Sequence, residues 1–271
     1  MNKLLIKLLS ALLVFTVTPV QADEDKLQAV IEMPHRETSM IRDIYRNPLD
    51  TLMFFQVKPE HKVVEIWPGG SGWYTEILAP YLREKGQLYI ANYDPETNSA
   101  TRQKRLKSLA DKFAANPEIY DKVKWSVFSP ANKLDIAPEG TIDRVLTFRN
   151  LHNWTSSGED AMNDIFSHFY KVLKPGGKLG VIDHRLNEDD AKSARDGYVK
   201  ESMVIEYAKR AGFVLEGKSE INANPDDTKD YEKGVWTLPP SLNLKEKDRE
   251  KYLAIGESDR MTLLFVKPAA K

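Results

Sequence analysis

The sequence contains no cysteine, so a disulfide, a thiol nucleophile and a thiolate metal site are all excluded. It also lacks a charge excess. A formal net charge of -1 gives no electrostatic ground for a nucleic-acid partner. Lys and Arg are scattered, apart from Arg102-Gln103-Lys104-Arg105 with Lys107, which reads as the wet face of a helix. There is no internal repeat, no low-complexity tract and no long hydrophobic run. The apolar stretch Leu8 to Val17 is too short to span a bilayer comfortably. Lys3 and Lys7 precede it and Val20-Gln21-Ala22 follows it, so residues 1–22 read as a signal peptide, with a retained anchor as the alternative. The expectation is a mature chain from Asp23 exported, in a bacterium, to the periplasm, with no stable membrane span after cleavage. The full 271 residues, 41% hydrophobic and 29% charged, suffice for one large domain with a full core over 23–271.

The most informative stretch is Val63-Val64-Glu65-Ile66-Trp67-Pro68-Gly69-Gly70-Ser71-Gly72-Trp73-Tyr74-Thr75-Glu76. It opens as a β-branched apolar run, the mark of a strand buried on both faces. A glycine-rich turn follows, and then Trp73, Ile77, Leu78, Tyr81 and Leu82 recur at helical spacing. Strand, glycine turn and helix form the first unit of a nucleotide-binding α/β fold. Downstream the pattern alternates. Strands are expected at Gln87–Ala91, Val123–Phe128, Ile142–Phe148, Leu179–Asp183, from Phe213 and at Met261–Val266, with helices over 98–115, 159–173 and 203–212. Leu134 to Pro138 reads as a connector. Residues 23–57 read as a helical cap that either covers a sheet edge or closes over a ligand.

These features resemble the class I S-adenosylmethionine-dependent methyltransferases. In that family's first motif, acid-x-Gly-x-Gly-x-Gly, the acid is matched by Glu65 and the second glycine by Gly69. Gly72 lies one residue past the third, while Trp67 stands at the first glycine position and Ser71 at the third. The run Leu173-Lys174-Pro175-Gly176-Gly177 before a hydrophobic strand is a second shared feature, with Pro175 ending the helix. The chain is similar in particular to an exported bacterial branch with Glu-Ile-Trp-Pro-Gly-Gly, Arg-Asn-Leu-His-Asn-Trp and Gly-Val-Trp-x-Leu-Pro-Pro. The resemblance implies a Rossmann-like seven-stranded, mostly parallel sheet with an antiparallel last strand and helices on both faces. It also implies S-adenosylmethionine as cofactor and a small-molecule acceptor. Glu65, Gly69, Gly70 and Gly72 would lie at the cofactor, with Asn92 or Asp94 at the ribose and Ser129 near the adenine. Asn92 to Glu96 reads equally as a turn that caps the next helix.

Open α/β sheets bind ligands beyond the carboxyl ends of their strands, so Arg149-Asn150-Leu151-His152-Asn153-Trp154 should face the cleft. This run resembles the His-Asp-Trp of hydroxy-aromatic O-methyltransferases, which implies His152 as general base and Asn150, Asn153 and Trp154 near substrate. Imidazole suits that task, since a neutral hydroxyl is a poor nucleophile. The alternative is a histidine that pins its loop to the backbone. His184, in Asp183-His184-Arg185, either shares base duty or joins His152 and Asp183 around a metal, although no short-range ligand spacing supports a metal. Residues 221–259, with Trp236-Thr237-Leu238-Pro239-Pro240, form a long insertion. It reads as a lid that brings Trp236 to the substrate, or as an edge cover. Two function classes result: a methyltransferase for a small hydroxylated or aromatic acceptor, and a non-catalytic protein that binds another nucleoside or aromatic ligand in the same cleft. A metal-assisted hydrolase is a third. The oligomeric state is not legible.

Overall fold

The computed structural model describes residues 19–130 and 132–269, so most of the expected signal segment lies outside the described residues. The described residues begin with α1 (Pro19–Ile31), a short α2 (Asp43–Arg46) and α3 (Pro48–Phe54). The alternating part follows: β1 (Lys62–Ile66), α4 (Thr75–Leu82), β2 (Gln87–Asn92), α5 (Ala100–Ala115) and α6 (Pro117–Tyr120). Next come β3 (Lys124–Ser129), β4 (Lys133–Asp135), β5 (Ile142–Phe148), α7 (Leu151–Trp154) and α8 (Glu159–Val172). The last part holds β6 (Leu173–Leu186), β7 (Ala194–Arg195), β8 (Tyr198–Lys200), α9 (Glu201–Arg210), β9 (Val214–Ser219), α10 (Arg249–Ile255) and β10 (Arg260–Val266).

The strands form one sheet in the order β4-β3-β2-β1-β5-β6-β10-β9, with β7 and β8 branching from the end of β6. Neighbours from β3 through β6 are parallel, while β10 runs antiparallel to both β6 and β9. This is the expected mixed α/β architecture, extended by three short strands. The Leu134 connector pairs with β3 as an edge strand, Val127 opposite Asp135. β6 starts earlier than expected because Leu173 pairs with Ile142 before the Pro-Gly-Gly kink shifts the register. Successive side chains of a strand point to opposite faces, and the core divides accordingly. Val64 and Ile66 pack with α8 and α9 residues such as Phe166, Phe169 and Val204. Val63 packs on the other face with Leu27, Leu52 and Phe55 of the N-terminal cap and with Leu78 and Leu109. The cap thus covers a face of the sheet rather than its edge, and Arg144 fastens it by donating to the carbonyls of Phe55 and Gln56. No helix among the described residues is long and apolar enough to cross a membrane.

The order of the strands reverses between β1 and β5, which both pair with each other and run in the same direction. Such a switch point opens a crevice at the carboxyl ends of the two strands. The residues that follow them, Trp67 and Arg149, both adopt left-handed backbone conformations, with φ of 44° and 60°. A bulky residue there is strained, and such strain clusters at sites of function.

Candidate functional site

Two regions meet at this crevice. The first is the glycine corner after β1. Trp67 turns its indole into the corner and is 8% exposed. The ring packs 4.7 Å from Tyr93, 5.5 Å from Phe128 and 5.5 Å from Trp154, and its N–H donates to the Phe128 carbonyl at 2.8 Å. Arg102 lies over both Trp67 and Tyr93. Helix α5 covers the turn itself. Ser108 donates to the Gly70 carbonyl, Lys112 to that of Ser71, and a Cβ at Gly72 would stand 2.7 Å from Leu109. Gly72 therefore serves the close approach of α5.

The remaining residues expected around an adenosyl group are placed as follows. Glu65 is buried and accepts a hydrogen bond from Thr75, and burial pushes its carboxyl up to about 8. Asn92 is buried, its Oδ1 accepting from the Tyr93 N–H, while its Nδ2 has no partner. Asp94 accepts from the Glu96 N–H in a turn, and Ser129 ends β3. Gly69 adopts a φ of 74° with open space where a Cβ would stand. The Trp67 indole thus packs directly against Tyr93, the residue after Asn92. Among the described residues, the Asn92 amide nitrogen and the Trp154 indole nitrogen are buried there without a hydrogen-bond partner.

The second region lies beyond β5 and β6. A cavity of about 150 Å³ is lined by Arg149, His152, His184, Trp236, Pro239, Pro240, Ser241, Glu257 and Ser258. Parallel pairing of β5 with β6 brings the residues after both strands together, and the His152 and His184 rings lie 5.1 Å apart. Asp183 is fully buried beneath them. One carboxylate oxygen takes the His152 Nδ1–H at 2.9 Å and the His184 N–H at 2.7 Å, and the other takes the Leu151 N–H at 2.6 Å. A carboxylate only accepts, so this bond fixes the proton on Nδ1 and leaves Nε2 of His152 with a free lone pair. The His184 Nδ1 shares a hydrogen bond with Ser258 Oγ at 2.5 Å. Burial, then the nearby His152 and the arginines, hold the His184 ring well below its ordinary value, so it stays neutral.

The charge around the cavity is one-sided. Arg42, Arg46 and Arg260 converge on Glu257 at 2.6, 3.5 and 3.3 Å, and Arg149 also feels its charge. These groups hold the Glu257 carboxyl down to about 2 against the effect of burial. Arg42 and Arg46 come from the N-terminal cap, Glu257 from the insertion and Arg149 from the end of β5, so this cluster is assembled from three distant segments.

Ligand atoms of His152, Asp183 and His184 all lie within 4.8 Å of one another. Asp183, however, already accepts from three backbone N–H groups and one imidazole. The surrounding guanidiniums also oppose a cation, so the cluster fits a hydrogen-bonded dyad better than a metal.

Of the residues expected near substrate, the structure brings His152, His184 and Trp236 to one cavity, with the Trp236 ring 6.1 Å from His152. Asn150 turns inward instead and donates to the Ile66 carbonyl at 2.8 Å, tying β5 to β1. Trp154 is 1% exposed among Trp67, Phe128 and Phe169 because α7 points its apolar face into the core. Asn153 is exposed on α7. Residues 221–259 are packed rather than loose. Asn222 bonds to Thr51 and Thr262, and Asp227 accepts from Tyr198 and from the Asp259 N–H. Arg149 belongs to the run expected to face the cleft and lines the cavity, while Ser258, Glu257 and the cap arginines are additions that the sequence did not single out.

No family model and no curated protein matches the sequence. Solved structures do match in fold. An S-adenosylmethionine-dependent methyltransferase from Aquifex aeolicus is 16% identical with a TM-score of 0.55, over 90% of this chain and 98% of that one. The geranyl diphosphate C-methyltransferase of Streptomyces coelicolor, with Mg2+, geranyl diphosphate and S-adenosyl-L-homocysteine, is 16% identical with a TM-score of 0.52, over 89% and 83%. The [4+2]-cyclase SpnF is 15% identical with a TM-score of 0.58, over 83% and 82%. At these identities the likeness establishes architecture, and the chain has the Rossmann-like fold of the S-adenosylmethionine-dependent methyltransferases.

Proposed function

We propose that this chain is an S-adenosylmethionine-dependent methyltransferase for a small hydroxylated or aromatic acceptor, acting after export. The observation that carries the acceptor site is His152, fixed by the buried Asp183 so that its Nε2 lone pair faces a cavity at the carboxyl ends of β5 and β6. The fold likeness supports methyl transfer as the reaction class, and a basic start, apolar middle and small-residue site within 1–22 support export.

S-adenosylmethionine, when bound, supplies an electrophilic methyl group. The chain's own part is positioning and proton removal. His152 takes the acceptor's hydroxyl proton on Nε2, while Asp183 stabilises the resulting imidazolium through Nδ1. His184 remains neutral and, through Ser258, holds the cavity wall in place. Trp236, Pro239 and Pro240 of the insertion exclude water from one side. Cofactor entry requires Trp67 to leave the glycine corner, so the free energy of that movement is subtracted from the binding affinity.

The buried Trp67 also favours a second reading: His152 does base chemistry, or the cavity only binds, without a methyl donor. A fold match to a protein described as a [4+2]-cyclase is consistent with other chemistry on this architecture. Incubating mature protein with methyl-labelled cofactor and a panel of hydroxylated aromatic acids tests the first reading. Label transfer that falls steeply in His152→Ala supports it. Transfer unchanged in that variant removes the base assignment. No transfer with any acceptor, combined with no binding of S-adenosylhomocysteine, leaves the second reading.

A further inference from the structure

We propose that the cavity beyond β5 and β6 is an anion site, and that its ligand is a small molecule bearing a carboxylate or phosphate group held by Arg149. This rests on reading the cavity as the acceptor site, but not on any methyl donor.

The cavity carries a charge that the protein does not balance. Arg149 lines the cavity, yet its guanidinium has no hydrogen-bond or ion-pair partner among the described residues. It stands in a left-handed conformation that favours glycine, so the fold holds a strained arginine there. Glu257, the carboxylate in the same cavity lining, is already shared by Arg42, Arg46 and Arg260. One negative charge therefore faces four positive ones. The other carboxylates nearby are engaged as well: Asp183 with His152 and backbone N–H groups, and Asp259 with Arg185 and Lys229. Arg46 is 1% exposed and lies over the Trp73 ring at 4.6 Å, but both its terminal nitrogens lack a hydrogen-bond partner, as does one of Arg42.

Buried guanidiniums without a counter-ion are costly, because the charge has left water and gained nothing in return. An anion in the cavity supplies the missing partner. Arg149 presents a planar fork suited to a carboxylate or phosphate, and Ser241 and Ser258 also line the space. Trp236, Pro239 and Pro240 give an apolar wall for the body of the ligand. With the anion on Arg149, a hydroxyl elsewhere on the same molecule comes under His152. A hydroxylated acid is thus the acceptor class that uses both ends of the cavity.

The test titrates the mature protein with 4-hydroxybenzoate, phenyl phosphate and the uncharged 4-hydroxybenzamide by calorimetry, with thermal melting in parallel. The expected result is that one or both anions bind roughly 10–100-fold more tightly than the amide and raise the melting temperature. The better of the two anions tells a carboxylate from a phosphate ligand. In Arg149→Met, of similar length and without charge, the anion preference should fall to within about twofold, while the ligand-free protein melts at or above the wild-type temperature. That second readout distinguishes loss of an unbalanced charge from a folding defect. His152→Ala should keep the preference, so a failure of the base assignment leaves this result intact. Equal binding of acid and amide, no binding of either anion, or an unchanged preference in Arg149→Met overturns the proposal.

Discussion

The glycine corner and the histidine cavity lie at the ends of adjacent strands, and they have been built in opposite ways. Each follows a parallel strand with a residue in the left-handed region, Trp67 after β1 and Arg149 after β5. In the corner, the strained residue is apolar, fully packed and hydrogen-bonded to the Phe128 carbonyl. In the cavity, the strained residue is charged, has no hydrogen-bond or ion-pair partner among the described residues, and is accompanied by a histidine bound to Asp183 through its other nitrogen. Strain in the first is repaid by packing within the chain. In the second it is not, which places the unmet binding capacity of this fold at β5 and β6.

Substitutions can break that contrast. The largest effect is expected from His152→Ala, which should lower turnover about 10²–10⁴-fold with little change in the melting temperature. A labelled-methyl assay beside a melt checks both. Trp67→Ala should do the reverse to the molecule, costing about 3–5 kcal/mol of stability as a core truncation. Urea unfolding measures it; a loss below roughly 1 kcal/mol would show that the corner is not packed by this ring.

Glu65 sharpens the comparison through pH. Its folded value is raised to about 8 from an ordinary 4.5, so the native state holds a proton that the unfolded state has released. Stability should therefore fall as pH rises through that window, by up to roughly 1.4 kcal/mol per pH unit from this group. Glu65→Gln should flatten the decline, measured as the difference in unfolding free energy at pH 5 and pH 8. The smallest effect belongs to Asn153→Ala. Asn153 is exposed beside the cavity histidine, and the change should stay within about 0.5 kcal/mol in stability.

The fold was largely legible because its signals are local. β5 reads directly as Ile142–Phe148, where all seven residues are buried. β4 was not, since Lys133-Leu134-Asp135 offers a single apolar residue, and it is fixed by pairing with β3 and by Leu134 packing on the core. In the site, His152 and His184 could be placed at strand ends, and parallel pairing then makes them neighbours. The arginine cluster could not be read in the same way. Arg42 and Arg46 meet Glu257 across more than 200 positions, a contact no periodicity encodes. Likewise, the sequence shows a tryptophan at a glycine position but not the direction of its ring. That direction is set by Tyr93, Phe128 and Trp154 from other strands and helices.

The most direct measurement is a calorimetric titration of S-adenosylhomocysteine into the wild-type protein and into Trp67→Gly. If the corner is a cofactor site held shut by its own indole, the wild type binds weakly and the variant at least about tenfold more tightly. Absence of heat with both proteins, or equal affinity for both, contradicts the account.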